Sequence, residues 1–268
     1  MPATYAHYRF GKDVYRALPK DIKQVIQDYR HAFCVGLHGP DVLFYYKPME
    51  DNRVSEAGYD MHKKTAKPFF TGSRYLIRNT YQKDKLYAEE ELSYILGFIC
   101  HYALDHGCHG YIRSYEEANG VSHCEIETEF DCALLRIDGR DLSKYSLSGH
   151  IVPSLRNAQI VSEFFPAISD REALDSLRSM KHCIAIQQGR RPLQLFAMKL
   201  YARMTGKYHT LIGTVIKKHP DRRCEESNRR LLELYQKSVS IAVVLIKDYL
   251  NTNKELGGGF SHSYEGDR

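Results

Sequence analysis

The chain contains no tryptophan and no C-x-x-C pair. Its longest apolar run, Ile241 to Ile246, falls far short of the roughly 20 residues that span a bilayer. A helical membrane anchor within this sequence is excluded. Seven cysteines, odd in number and scattered from Cys34 to Cys224, offer neither a disulfide framework nor a cysteine zinc knuckle. The opening MPATYAHYRFGKDVYRALPKD lacks the basic start, apolar core and cleavage site of an export signal, so a reducing cytoplasm is the expected compartment. Charge is equally unrevealing: 38 Lys and Arg against 33 Asp and Glu leave +5 on 268 residues. No block of about five or six like charges marks a nucleic-acid tail.

What is present builds a core. Hydrophobic residues at 43% and aromatics at 12% exclude a mostly disordered chain. Residues 21–33, 89–104, 158–165, 170–186, 193–204 and 226–250 carry apolar positions at helical spacing or helix-forming composition, and period-two alternation is almost absent. The pattern predicts an all-α bundle forming a single domain over residues 1–256. Residues 51–84 are polar and less periodic, which predicts a long connection between helices. The glycine-rich stretch from Gly257, GGGFSHSYEGDR, predicts a flexible tail over 257–268.

Histidine is unevenly distributed. Between Glu89 and Gly110 runs EEELSYILGFICHYALDHGCHG, apolar on nearly every face from Leu92 to Leu104 and therefore expected in the middle of the bundle. His101 and Asp105 share one face of it. A carboxylate there costs several kcal/mol unless a cation or metal compensates it. Gly107 is expected to end the helix nearby and swing His109 round. Ser122-His123-Cys124-Glu125 then has capping-box spacing, so a helix starts at Ser122 with His123 and Glu127 on one face, a pair suited to zinc. Spacing alone is a weak signal, since about 1.6 His-x-x-x-acid pairs arise by chance in this composition. Clustering is stronger: four of the 13 histidines lie between 101 and 123. Asp41 follows the breaker Gly39-Pro40, His62 sits in the long connection, and His7 lies on the first helix.

Taken in order, GLHGPDVLFYY, GFICHYALDHGCHGYI and SHCEIETEFD, with His7 and His62 around them, resemble the zinc-dependent phospholipase C and P1/S1 nuclease superfamily, in particular its bacterial zinc-dependent phospholipase C members. The resemblance covers residues 1 to about 131. It implies an all-α fold of that type and two or three zinc ions. Asp41, His62, His101 and Asp105 would surround one ion, with Asp105 bridging to a second; His109, His123 and Glu127 would hold another. His7 would bind the remaining ion, which in the family is also chelated by an N-terminal tryptophan. Here the chain begins Met1-Pro2, so either Pro2 substitutes after methionine removal, or that site is weak, or two metals suffice. His109 also follows Asp105 more closely than in the secreted enzymes, whose Gln-Pro is missing.

The implied chemistry is metal-assisted hydrolysis of a phosphodiester by a bridging hydroxide, with Asp41 orienting the water or taking a proton and zinc neutralising phosphate oxygens. Phe44, Tyr45 and Phe69, close to two ligands in sequence, are candidates to wall a substrate pocket, although aromatic runs in helical proteins more often pack inside. A phospholipid headgroup or related small phosphodiester is the favoured substrate. A single-strand nuclease is the alternative, held back because no concentrated basic stripe is visible; a non-catalytic, metal-stabilised helical protein is the other. HD-type phosphohydrolases also use helical His/Asp metal sites, but no His-Asp dipeptide occurs here, which argues against them. His38, His106, Cys108 and Cys124 adjoin ligands without an assigned role, and His150, His182, His209, His219 and His262 read as ordinary. Lys217-Lys218 and Arg222-Arg223 read as a solvated loop.

Overall fold

The computed structural model describes residues 4–142, 144–205, 208–217 and 219–266. Met1, Pro2, Lys218, the side chain of His209 and the last two residues of the expected tail lie outside the described residues. The described residues form helices and no strand, apart from one isolated bridge between Thr65 and Ser263. No helix among them is long and apolar enough to cross a membrane.

The organising element is α6 (Lys85–Asn119), a 35-residue helix. It starts where the Asp84 side chain accepts a hydrogen bond from the Tyr87 amide and stops at Gly120, in the left-handed conformation with φ 63°. Around it pack α1 (Thr4–Ala17), α2 (Lys20–Asp28), α3 (Arg30–Gly36), α5 (Lys67–Tyr81), α7 (His123–Ile137), α8 (Leu155–Phe164) and α12 (Glu225–Leu250). Residues 93 to 105 of α6 are buried without a break, as an all-round apolar helix requires. The outer elements are α4 (Arg53–Lys63), α9 (Asp170–Gln187), α10 (Pro192–Met204) and α11 (Tyr208–Gly213).

Four expectations change. α6 does not end at Gly107: it continues past His109, because this glycine serves packing and not termination. A Cβ at Gly107 would stand 2.2 Å from the Ser238 Oγ of α12, so the missing side chain lets the two helices approach. Residues 51–84 are not a long connection but α4 and α5, the first capped by Asn52, whose side chain accepts from the Val54 and Ser55 amides. Only Val54 and Gly58 of α4 and Phe70 and Ser73 of α5 are buried, which is why their apolar period is faint. The helix expected over 21–33 breaks at Tyr29 into α2 and α3.

The fourth correction concerns the tail. Residues 257–266 lie across α6 as a strap with Phe260 and Tyr264 fully buried. The Ala66 amide donates to the His262 carbonyl, the Tyr102 hydroxyl to the Gly259 carbonyl at 2.8 Å, and the Gly257 amide to Asp248. Two aromatic anchors and these backbone bonds outweigh the flexibility that the glycine run suggests.

Candidate metal centre

Each potential ligand is set in place by local structure. The Tyr5 and Ala6 amides at the start of α1 donate to the two oxygens of Asp131 on α7, at 2.8 and 2.7 Å. This pair of hydrogen bonds from an open helix end fixes α1 against α7 and turns His7 toward α6. Burial pushes the Asp131 carboxyl up to about 7, against the pull of the two amides. Asp41 lies in the 3-10 segment Gly39–Tyr45. His62 is in the last turn of α4, and its Nδ1 meets the Gly58 carbonyl at 2.8 Å, so that nitrogen donates and Nε2 is left free to bind. His101, Asp105 and His109 follow one another at four-residue steps on α6. The capping box of Ser122 and Glu125 starts α7 as expected, and the His123 amide donates to Glu116 at 3.0 Å.

The chain brings all eight side chains together, with Asp105 in the middle. Its Oδ2 lies 3.0 Å from His101 Nε2 and 3.6 Å from His62 Nε2. Its Oδ1 lies 3.2 Å from His7 Nε2 and 3.6 Å from His109 Nε2. Asp41 Oδ1 is 3.0 Å from His62 Nε2, and its Oδ2 is 4.0 Å from His101 Nδ1. On the far side Glu127 Oε1 is shared by His109 at 3.3 Å and His123 at 3.2 Å. Three groups result whose donor atoms lie within 4.8 Å of one another: His7, His101 and Asp105; Asp41, His62 and His101; His109, His123 and Glu127.

These residues fit a divalent cation such as zinc. Imidazole nitrogen and carboxylate oxygen are its usual donors, and two of them about 2.1 Å from a tetrahedral ion stand about 3.4 Å apart, close to most separations here. Both nitrogens of His101 and Nδ1 of His7 are buried without a hydrogen-bond partner. His101 Nε2 and Asp105 Oδ2 thus approach to 3.0 Å without hydrogen-bond alignment, as ligands aimed at a common point do.

The electrostatics point the same way. Burial alone would raise the Asp105 carboxyl, yet His101 and His109 hold it well below the usual carboxylate range; burial would likewise raise Asp41, but His101 and His62 lower it. Burial would lower His62, but the neighbouring carboxylates of Asp105 and Asp41 lift it to about 10. The pocket is built for cations. His123 is the most exposed of the eight at 27%, with His109 at 14% and His62 at 12%, whereas His7 and Asp105 are at 4%. A cleft there is lined by His7, Asp105, His109 and Glu127 with Leu104, Ile112 and Phe130.

The aromatic candidates divide. Phe44 is buried and stacks on His62 at 5.3 Å and on Tyr59 at 4.3 Å. Tyr45 lies in the core, and Phe69 packs on Phe98 at 4.6 Å and on Phe70. Sequence reasoning missed Tyr264, whose ring lies 5.6 Å from that of His62 and 6.0 Å from that of His101; a tail of glycine and serine gives no sign of it. It also missed His150, read as ordinary, whose Nε2 is 2.7 Å from that of His38 and whose ring stacks on Tyr8 at 4.1 Å. This pair ties the segment before Asp41 to α1. Burial pushes the Cys108 and Cys124 thiols up, which disfavours thiolate ligands.

Comparison with known proteins adds the family. No curated protein and no solved structure matches the chain. The family model described as zinc-dependent phospholipase C matches residues 6–183, a span holding all eight side chains of the centre and extending well past the region of resemblance at residue 131. With two thirds of its length in that match, the chain belongs to the zinc-dependent phospholipase C family.

Proposed function

We propose that this chain is a zinc-dependent phosphodiester hydrolase of phospholipase C type, with two or three ions held by His7, Asp41, His62, His101, Asp105, His109, His123 and Glu127. The observation that carries this reading is the position of Asp105, whose two oxygens face different histidines: His101 and His62 on one side, His7 and His109 on the other. A carboxylate so placed can serve two ions at once. Bound there, such ions would supply Lewis acidity toward phosphate oxygens and a water acidic enough to attack phosphorus near neutral pH.

The chain's own groups do the rest. Asp41, beside His62 and His101, orients the attacking water and accepts its proton. Gly58 fixes the tautomer of His62, and Phe44 fixes its ring plane. His109, His123 and Glu127 form the accessible side, where the ester oxygens of a headgroup phosphate enter. Leu104, Ile112 and Phe130 exclude water from the neighbouring cleft.

The test is turnover of p-nitrophenyl phosphorylcholine, and separately of single-stranded DNA, by zinc-loaded protein. Hydrolysis of the first and its loss in Asp41→Asn support the reading. Turnover of DNA alone would make the chain a nuclease. Tightly held zinc with no turnover of either would make the metal structural.

A further inference from the structure

The +5 net charge is not spread over the chain as its totals suggest. From Ser176 to Pro220 there is no aspartate or glutamate but nine Lys and Arg, while the other 29 Lys and Arg are outnumbered by the 33 acids. In the middle of this acid-free stretch stands α10. Its inner face, with Leu195, Met198 and Ala202, turns toward the protein. Its outer face carries Leu193 at 81% exposure, Phe196 at 70%, Leu200 at 51% and Met204 at 79%. Steps of three and four residues put these four side chains on one stripe. Lys199 and Arg203, both exposed, lie along one edge of this stripe, and Arg190 and Arg191 precede the helix.

We infer that α10 is an interfacial helix that seats the protein on a bilayer containing anionic lipid. An apolar stripe whose only charged neighbours on the helix are cations fits the boundary between acyl chains and negatively charged headgroups. A second copy of the chain fits poorly, since it would bring two acid-free basic regions face to face. The position also suits the activity, and in this respect the inference rests on the proposed phospholipase reading. α10 packs on α11, and Gly213 at the end of α11 lies against Ser122, Cys124 and Glu125, the turn that presents His123. His123 is the most exposed potential ligand, so docking through α10 brings the open side of the centre close to the lipid surface.

The absence of tryptophan makes the test direct. Phe196→Trp gives the chain a single indole, whose emission is followed as vesicles of phosphatidylcholine and phosphatidylglycerol (about 3:1) are added. A blue shift, quenching by lipids brominated on their acyl chains, and at least tenfold weaker binding in the Leu193→Glu/Leu200→Glu variant are expected. Both substituted leucines are exposed, so thermal melting and hydrolysis of soluble p-nitrophenyl phosphorylcholine should match wild type. No blue shift, equal binding to pure phosphatidylcholine vesicles, or a solution dimer abolished by the two Glu substitutions would each overturn the inference. Vesicle binding in a protein that hydrolyses no phosphodiester would remove the proposed activity and leave the lipid surface standing.

Discussion

Gly39 lies flat against the imidazole of His101: a Cβ on it would stand 2.4 Å from Cδ2 of that ring. The same residue has φ +47°, which a side chain disfavours. The contact sets the 3-10 segment that carries Asp41 directly on the helix that carries His101 and Asp105. Gly39→Ala should therefore cost about 2–3 kcal/mol from backbone strain and displacement of a buried ring. It should also lower zinc content, because two potential ligands are misplaced together. Thermal melting and elemental analysis of the variant check both effects; unchanged zinc would show that the contact is incidental.

Zinc uptake should release protons. His62 is held near 10 in the metal-free protein, so at neutral pH it is charged and must lose its proton to bind an ion. A raised folded-state value means that the His62 contribution to metal-free stability is complete below its unfolded value of about 6.5 and is lost as pH rises through about 10. Zinc affinity should rise over the same window. Calorimetric titration at pH 7.5 in buffers of different ionisation enthalpy should show release of at least about one proton per chain. A heat independent of buffer would contradict this.

The strap should contribute to stability and to the centre. Phe260 is fully buried against Phe70 and Tyr102, at ring distances of 4.8 and 6.0 Å. Phe260→Ala should cost about 3–4 kcal/mol, read from denaturant unfolding. By releasing Tyr264 from His62 and His101 it should also speed zinc loss to a chelator, whereas a freely moving tail would leave both quantities unchanged.

Glu91 is a second buried carboxylate of α6, ten residues before His101 and without a well-formed hydrogen bond at either oxygen. Burial pushes it up to about 7, with the Thr80 hydroxyl opposing. Because the fold prefers its neutral form, stability linked to Glu91 is complete below about pH 4.5 and is lost as pH rises through about 7. Glu91→Gln should remove that dependence and be more stable than wild type by about 2 kcal/mol at pH 8. Equal pH profiles for the two proteins would show that Glu91 has a partner in solution.

The sequence made the all-α class legible because its apolar period is helical, and the centre legible because four-residue steps on α6 and α7 translate directly into shared faces. What it concealed follows from contacts distant in sequence. Gly107 reads as a breaker until Ser238, on a helix more than a hundred residues later, gives it a packing role. α4 and α5 bury too few residues to show a period. Phe260 and Tyr264 read as tail because their partners, Phe70, Tyr102 and His62, lie far upstream.

The central claim is that Asp105 joins two ion sites, and the zinc content of three proteins tests it most directly. Wild type should retain about two or three zinc ions per chain after dialysis, Glu127→Gln should lose about one, and Asp105→Asn should lose at least two. A wild type that holds no zinc after loading, or an Asp105→Asn variant that retains as much as wild type, would contradict the account.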